Sequence, residues 1–372
     1  MSTTVSVQST LDAQIDDLAF YISRLRGESE DDAPYVKEIQ ALAQSDKDKV
    51  EHAFNLTIVI ILGAPEQALP GAVKALTASL TNTESTKTSL KQKILLNLYN
   101  ALPATSALRY DAFLGLVDVT AQADELDSLT TQLAHVDAWA KQWGIDIATE
   151  RELYQHLSEK LDQAGEKKSS LDFMLKKLAT YATPDDASSA FAKEVILRSV
   201  GLENYFAFED LTHYSAVQHI KDTNEYTLLD LFLNGNVQTY ETFVSSNKSI
   251  IADQEAGLRK IRLLSLASLG SENLARELTY GEISKALAIQ EDEVEMWVID
   301  VIRAGLVEAK LDQLNKTVIV HRSIYRVFGK EQWQQLSVRL NTWKNSLTDI
   351  LTVIGNAKLI AGGAGIVEDK SA

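Results

Sequence analysis

Between Thr10 and Asn247 apolar residues return at steps of three and four, the spacing of one helix face, beginning with Leu11, Ile15, Leu18 and Ile22. Segments of the same period lie near 46–62, 86–101, 105–122, 127–143, 148–163, 168–181, 187–200, 208–220 and 226–246. The breaks between them carry residues that stop helices: Gly63-Ala-Pro65, Leu102-Pro103, Gly144, Ala164-Gly165 and Thr183-Pro184. Ser45-Asp-Lys-Asp48 has the look of a capped helix start, and the polar run from Thr81 to Ser89 reads as a loop. About ten helices joined by short turns predict stacked hairpins, an irregular α-solenoid. No exact repeat period and no tetratricopeptide consensus is present.

The pattern changes after Ser249. Leu258 to Leu269 is apolar on most sides of a helix, as expected of a core element. Thr279 and Glu282 have capping-box spacing at the start of a second helix. A third opens on Glu291, Asp292 and Glu293, charges that suit a helix N-terminus. It carries Val294, Trp297, Val298, Val301 and Ile302 on one stripe. Past Gly305, 306–311 and 316–321 alternate like strands around a turn at Asp312–Asn315. Three helices with such a hairpin predict a winged helix. The last element repeats in heptads through Trp333, Leu336, Leu340, Trp343, Leu347, Ile350 and Ile354, a seam built to face other helices. Ala361-Gly-Gly-Ala-Gly365 and the residues after it read as a flexible tail. The fold class is therefore mainly α: helical repeats over 1–250, a winged helix over 251–323, a bundle helix over 324–355 and a tail over 356–372.

Composition narrows the function. The 372 residues exceed one ordinary core, and 45% hydrophobic with 24% charged residues is an ordinary globular balance. A net charge of −16 gives no general attraction to phosphate backbones, which leaves only a local basic patch for nucleic acid. The absence of cysteine excludes disulfides, thiol nucleophiles and thiolate metal sites. Met1 to Gln8 has no basic segment before an apolar run, so no signal peptide is expected there. The most apolar stretch, Leu56 to Gly63, is far shorter than the ~20 residues of a membrane span. A cytoplasmic chain is the simplest expectation.

Candidate chemistry is sparse. A winged helix first suggests DNA binding, but its third helix sets Glu291, Asp292, Glu293, Glu295 and Asp300 against Arg303, and a groove reader of that charge is repelled. No sequence-specific DNA binding is expected. A protein-docking role fits better, with Met296 and Ile299 on the outward side of that helix as contacts. None of His52, His135, His156, His213, His219 and His321 has a ligand-pair spacing, so no metal is predicted. Phosphate-loop, dinucleotide and nucleophile-elbow motifs are absent, and no cofactor or enzymatic activity is predicted.

Helical repeats running into one winged helix resemble the PCI family of proteasome-lid, signalosome and initiation-factor subunits. Tyr226-Thr-Leu-Leu-Asp-Leu-Phe-Leu-Asn-Gly-Asn-Val-Gln-Thr-Tyr240 resembles the helix pair before that winged helix, and Lys260-Ile-Arg-Leu-Leu264 its first helix. Four further strings are more specific: Glu293-Val-Glu-Met-Trp-Val-Ile-Asp-Val-Ile-Arg303, Lys310-Leu-Asp-Gln313, Phe328-Gly-Lys-Glu-Gln-Trp-Gln-Gln-Leu336 and Leu340-Asn-Thr-Trp-Lys344. They resemble the subunit M family of translation initiation factor three, over roughly 225–345. The resemblance implies a non-catalytic scaffold of the eukaryotic factor, with other PCI and MPN subunits as partners. It also implies small (40S) ribosomal subunit binding through the complex, in support of messenger RNA and initiator tRNA recruitment. By the same resemblance the wing strands, with Val307, Ala309, Val318 and Val320, make a sheet contact, and Trp333, Leu336, Leu340, Trp343 and Leu347 join a shared helical bundle. The alternative is a PCI scaffold of the signalosome or proteasome lid.

Overall fold

The computed structural model describes residues 47–63, 67–83, 87–247, 253–273 and 276–363, together with Leu18, Pro65 and Ile250. Of the first helical rhythm only Leu18 is among them; Leu11, Ile15, Ile22, Ser45 and Asp46 lie outside the described residues. The chain divides into two compact units, 1–191 and 192–372.

In the first unit, α1 (Lys47–Gly63), α2 (Leu69–Asn82), α3 (Thr88–Ala101), α4 (Leu108–Gln122), a 3-10 turn (Leu126–Leu129), α5 (Thr130–Leu133), α6 (Val136–Trp143), α7 (Ile147–Gln163) and α8 (Lys167–Ala179) follow in order. Phe54, Leu76, Leu95, Leu98, Phe113, Val117, Trp143, Leu153 and Leu157 form one continuous core. An aromatic knot of Tyr99, Phe113, Trp139 and Trp143, with centroids 5.7–6.2 Å apart, fixes α6 against α3 and α4. Edge-to-face rings at this spacing add about 0.5–1.5 kcal/mol per pair beyond their burial.

Two elements here differ from the periodicity. α2 is a full helix where no segment is predicted; Pro70 stands in its first turn, where no amide hydrogen bond is lost. The expected helix 127–143 is broken, because His135 and the residues before it bond in short 3-10 fashion and restart the helix at Val136. Gly115 of α4 is the point of closest approach to α2: a Cβ there would lie 2.2 Å from Thr77 Cγ2. Gly115→Ala is therefore expected to cost about 1–2 kcal/mol, an overpacking penalty of ~1–3 less a helix-propensity gain of up to ~1. The urea midpoint measures it, and an unchanged midpoint would mean that α2 and α4 move apart freely.

The second unit opens within α9 (Asp186–Gly201) and continues with α10 (Phe208–Leu211), α11 (Ser215–His219), α12 (Asn224–Asn234) and α13 (Val237–Ser246). The predicted helix 208–220 is thus two short turns, and 226–246 is two helices. Gly235 divides the latter pair; a Cβ there would meet Leu231 O at 2.6 Å. Asn236 caps α13 reciprocally with Thr239, so the chain restarts at once in a new direction.

α14 (Gln254–Glu272), β1 (Glu277–Thr279), α15 (Tyr280–Leu287), a 3-10 turn (Glu291–Glu293), α16 (Val294–Arg303), β2 (Val307–Asp312) and β3 (Thr317–Ser323) make the winged helix. Its sheet is antiparallel in the order β1-β3-β2. Val294, Val298 and Val301 are buried with Leu278, Ile283 and Leu287, and Trp297 and Ile302 pack against them, the stripe expected from the three- and four-residue spacing. Thr279 and Glu282 form the predicted capping box. α17 (Lys330–Gly363) is the last described element; it is helical past residue 355, through the first residues of the expected tail, and 364–372 lie outside the described residues. No helix among the described residues is long and apolar enough to cross a membrane.

Candidate interaction surfaces

The resemblance implies one sheet contact through the wing strands 306–311 and 316–321, and the sheet order shows which of them has an edge to offer. β3 is the central strand, paired on one side by β1 and on the other by β2, so it has no open edge. Val318 and Val320 are 2% and 4% exposed and face the domain's own core, as does Val307. Ala309 is half-buried against the same core. The alternation that marks these residues as strand therefore reports an internal packing face, and a third strand, too short to stand out in the sequence, occupies the edge of β3. The strand edges left open are those of β1 and β2. On β2 the outward side chains are Glu308 and Lys310, and the ladder slips between Glu308 and Ala309. Such a slip twists an edge and limits unwanted pairing.

α16 presents Met296 and Ile299 outward, 62% and 41% exposed, as the wheel predicts. Acidic groups surround them, several already engaged. Glu295 accepts from Tyr280 Oη at 3.2 Å and Gln313 Nε2 at 2.8 Å, Asp300 pairs with Arg259 at 2.8 Å, and Glu291 lies 3.6 Å from Lys316. The face is a small apolar patch in a negative frame.

The root of α17 is anchored more firmly than anything in the sequence marks. Arg326 Nε donates to Leu264 O at 2.9 Å, Nη1 to Gly235 O at 2.7 Å and Nη2 to Ser265 Oγ at 2.9 Å. Burial lowers its pKa to about 10, opposed by the charge of Glu272, and the guanidinium stays protonated at neutral pH. Phe328 N–H donates to Glu209 Oε1 at 2.9 Å, and Phe328 stacks edge-on between Tyr325 and Trp333. From Trp333 onward the contrast is complete: every described side chain to Ile360 is exposed. Trp333, Leu336, Leu340, Trp343 and Leu347 are 61, 37, 51, 64 and 43% exposed, and Ile350 and Ile354 continue the same strip. A 34-residue helix held at its base and bare along an apolar seam lacks the tertiary packing from which most helices in proteins draw their stability.

A second anchor is Lys260 of α14. Its ammonium donates to Ser199 O, Val200 O and Leu202 O at 3.0, 2.8 and 2.5 Å, closing the C-terminus of α9. Burial pulls its pKa down to about 7, with Glu203 opposing. Lys260 lies in one of the family strings, but its role is not legible there, because its partners are some sixty positions away. Of the histidines with described side chains, His156 sits 2.8 Å from Asp118 beside Lys160, and His135 lies against Trp139. Among the described residues no group of three side chains is placed to hold a metal.

Helices that lead into a winged helix with open sheet edges, followed by an anchored helix, define a PCI-domain protein, and the PCI domain family matches residues 245–322. The family described as eIF3 subunit M, C-terminal helix, matches 326–354, the stretch that begins at Arg326 and ends at the last seam residue. The eukaryotic translation initiation factor 3 subunit M of Phaeosphaeria nodorum is 37% identical over 317 residues, which cover 81% of this chain and 71% of that protein. Its namesake in Dictyostelium discoideum is 34% identical, with 84% of this chain and 80% of that protein aligned. That of Pyricularia oryzae is 30% identical over 88% of this chain and 80% of that protein. The chain belongs to the subunit M family of eukaryotic translation initiation factor 3, not to the signalosome or proteasome-lid branch.

Proposed function

We propose that this chain is a non-catalytic scaffold subunit of the cytoplasmic initiation factor 3 complex. The observation that carries this reading is the bare seam of α17, an apolar strip with no cover among the described residues and a family match of its own. Trp333, Leu336, Leu340, Trp343 and Leu347 are its contacts with helices of neighbouring subunits. Knobs-into-holes packing along such a strip is favourable because both partners lose apolar surface to water together. The open edge of β2, and Met296 with Ile299 on α16, provide a second contact, to other PCI and MPN subunits. Edge pairing supplies backbone hydrogen bonds that depend little on side-chain identity. We take 251–323 as the winged-helix segment that presents this edge, 1–250 as the helices leading to it and α17 as the bundle helix. Through the assembled factor the chain supports binding of the small ribosomal subunit and recruitment of messenger RNA and initiator tRNA.

Affinity purification of the tagged chain from its own cells, with partners identified by mass spectrometry and the eluate run on a gradient, tests this. Other initiation factor 3 subunits and small ribosomal subunits are expected to co-purify. Recovery of the chain alone would overturn the scaffold reading.

A further inference from the structure

The acidic character of this chain has one local exception. A groove of about 340 Å3 lies where β3, the end of α14 and α17 meet, and its lining includes Arg276, His321, Arg322 and Arg339 beside the ring of Tyr325. No carboxylate among the described residues lines it. Arg322 donates to Glu308 at 3.3 Å, but both side chains are mostly exposed, so water and salt weaken that pair. Arg276 and Arg339 enter no ion pair among the described residues. In a chain of net charge −16, convergence of these groups on one concavity runs against the average field.

The backbone makes the same point. Arg276 has φ +58, the left-handed region in which a Cβ costs about 1–2 kcal/mol and glycine costs little. The conformation is held from both sides, since Arg276 N–H donates to Asn273 O at 3.3 Å and its carbonyl accepts from Val320 N–H at 2.7 Å. Glycine would satisfy both bonds without strain. The two backbone bonds therefore do not require the arginine side chain, which is left to line the groove.

We propose that this groove binds the phosphate backbone of single-stranded RNA. Guanidinium groups match phosphate oxygens with paired donors, and Arg276, Arg322 and Arg339 approach from a loop, a strand and a helix. Tyr325 adds an aromatic surface for a base beside the phosphate, as in sequence-tolerant single-strand sites. An acidic peptide would use the guanidiniums and leave the ring idle, so RNA is the better fit. None of the residues that line the groove lies on the acidic face of α16; it borders β2 through Arg322 and α17 through Arg339, and RNA binding by the free chain is read without any partner subunit.

The test is fluorescence anisotropy of the purified full chain with a labelled oligouridine of about 20 nucleotides, longer than the site of a single small domain. Three phosphate contacts predict a log–log salt slope of about −2, at ~0.7 per contact for a single strand. Arg276→Gly with Arg339→Ala is expected to weaken binding about tenfold at low salt and to bring the slope to about −0.7, with circular dichroism unchanged. Glycine suits the backbone at 276, and Arg339→Ala alone, on an exposed helix face, lowers the slope by ~0.7 without touching the fold. Arg303→Ala on α16 leaves both quantities as they are. Wild-type binding by the double variant, or no binding of RNA by the wild type, overturns the proposal. A polyglutamate peptide that binds in place of RNA, and loses affinity in the same variants, would assign the groove to an acidic peptide instead.

Discussion

Trp343→Asp is expected to leave the isolated chain folded while reducing its capture of other initiation factor 3 subunits by at least about thirtyfold, the loss of one hot-spot tryptophan of ~2 kcal/mol or more. Trp343 is 64% exposed and sits midway along a strip in which no described side chain is covered. Removing the indole from the free chain therefore opens no cavity. In the complex the same change places a carboxylate where an apolar surface must be desolvated, and that cost falls on assembly alone. Far-ultraviolet circular dichroism and the thermal midpoint report the first half, and quantitative pull-down reports the second. Collapse of the monomer would mean that α17 packs on its own domain in solution, and the bundle role would then be wrong. Full assembly by a stably folded variant would move the interface to the β2 edge or to the Met296–Ile299 face.

Lys260→Met should act in the opposite sense, on stability of the second unit first and on assembly only as a consequence. The substituted side chain fills similar space but leaves the carbonyls of Ser199 and Val200 buried without their donor, while Leu202 O keeps the Tyr205 N–H at 3.2 Å. An unsatisfied buried acceptor costs about 1–3 kcal/mol, and two at one helix end share water poorly, so a loss of ~2–4 kcal/mol is expected in urea denaturation. The pH dependence has a definite sign. The folded pKa is about 7 and the reference value is 10.5, so between them the unfolded chain binds more protons and wild-type stability rises with pH. Methionine cannot titrate, and the gap between wild type and variant therefore widens from pH 7 toward pH 10, by at most ~1.4 kcal/mol per pH unit. A gap that narrows instead would show that the carbonyls of α9 hold the ammonium more strongly than burial opposes it.

Much of this architecture is legible from periodicity alone. The stripe through Val294, Val298 and Val301, the capping box of Thr279 and Glu282 and the seam of α17 all rest on local spacing, and spacing survives folding because helix geometry is the same everywhere. Breaks inside a rhythm were not legible. Residues 127–143 and 226–246 keep helical spacing across His135 and Gly235, and only the hydrogen bonds show where the backbone turns.

The sequence by itself determined that the chain is mainly helical, that a winged helix follows the repeats and that α17 carries an apolar seam, since each depends on neighbours within a few positions. Tertiary structure alone decided what covers each apolar face. Trp143 and Trp343 both sit on apolar helix stripes, yet one is 2% exposed within an aromatic knot and the other stands bare. It decided as well that β3 is central, so that Val318 and Val320 belong to the core, and that Arg326 reaches Gly235, ninety-one positions back. Periodicity records that a face avoids water. Whether its own chain or another protein provides the cover depends on contacts between residues far apart, and no local pattern encodes those.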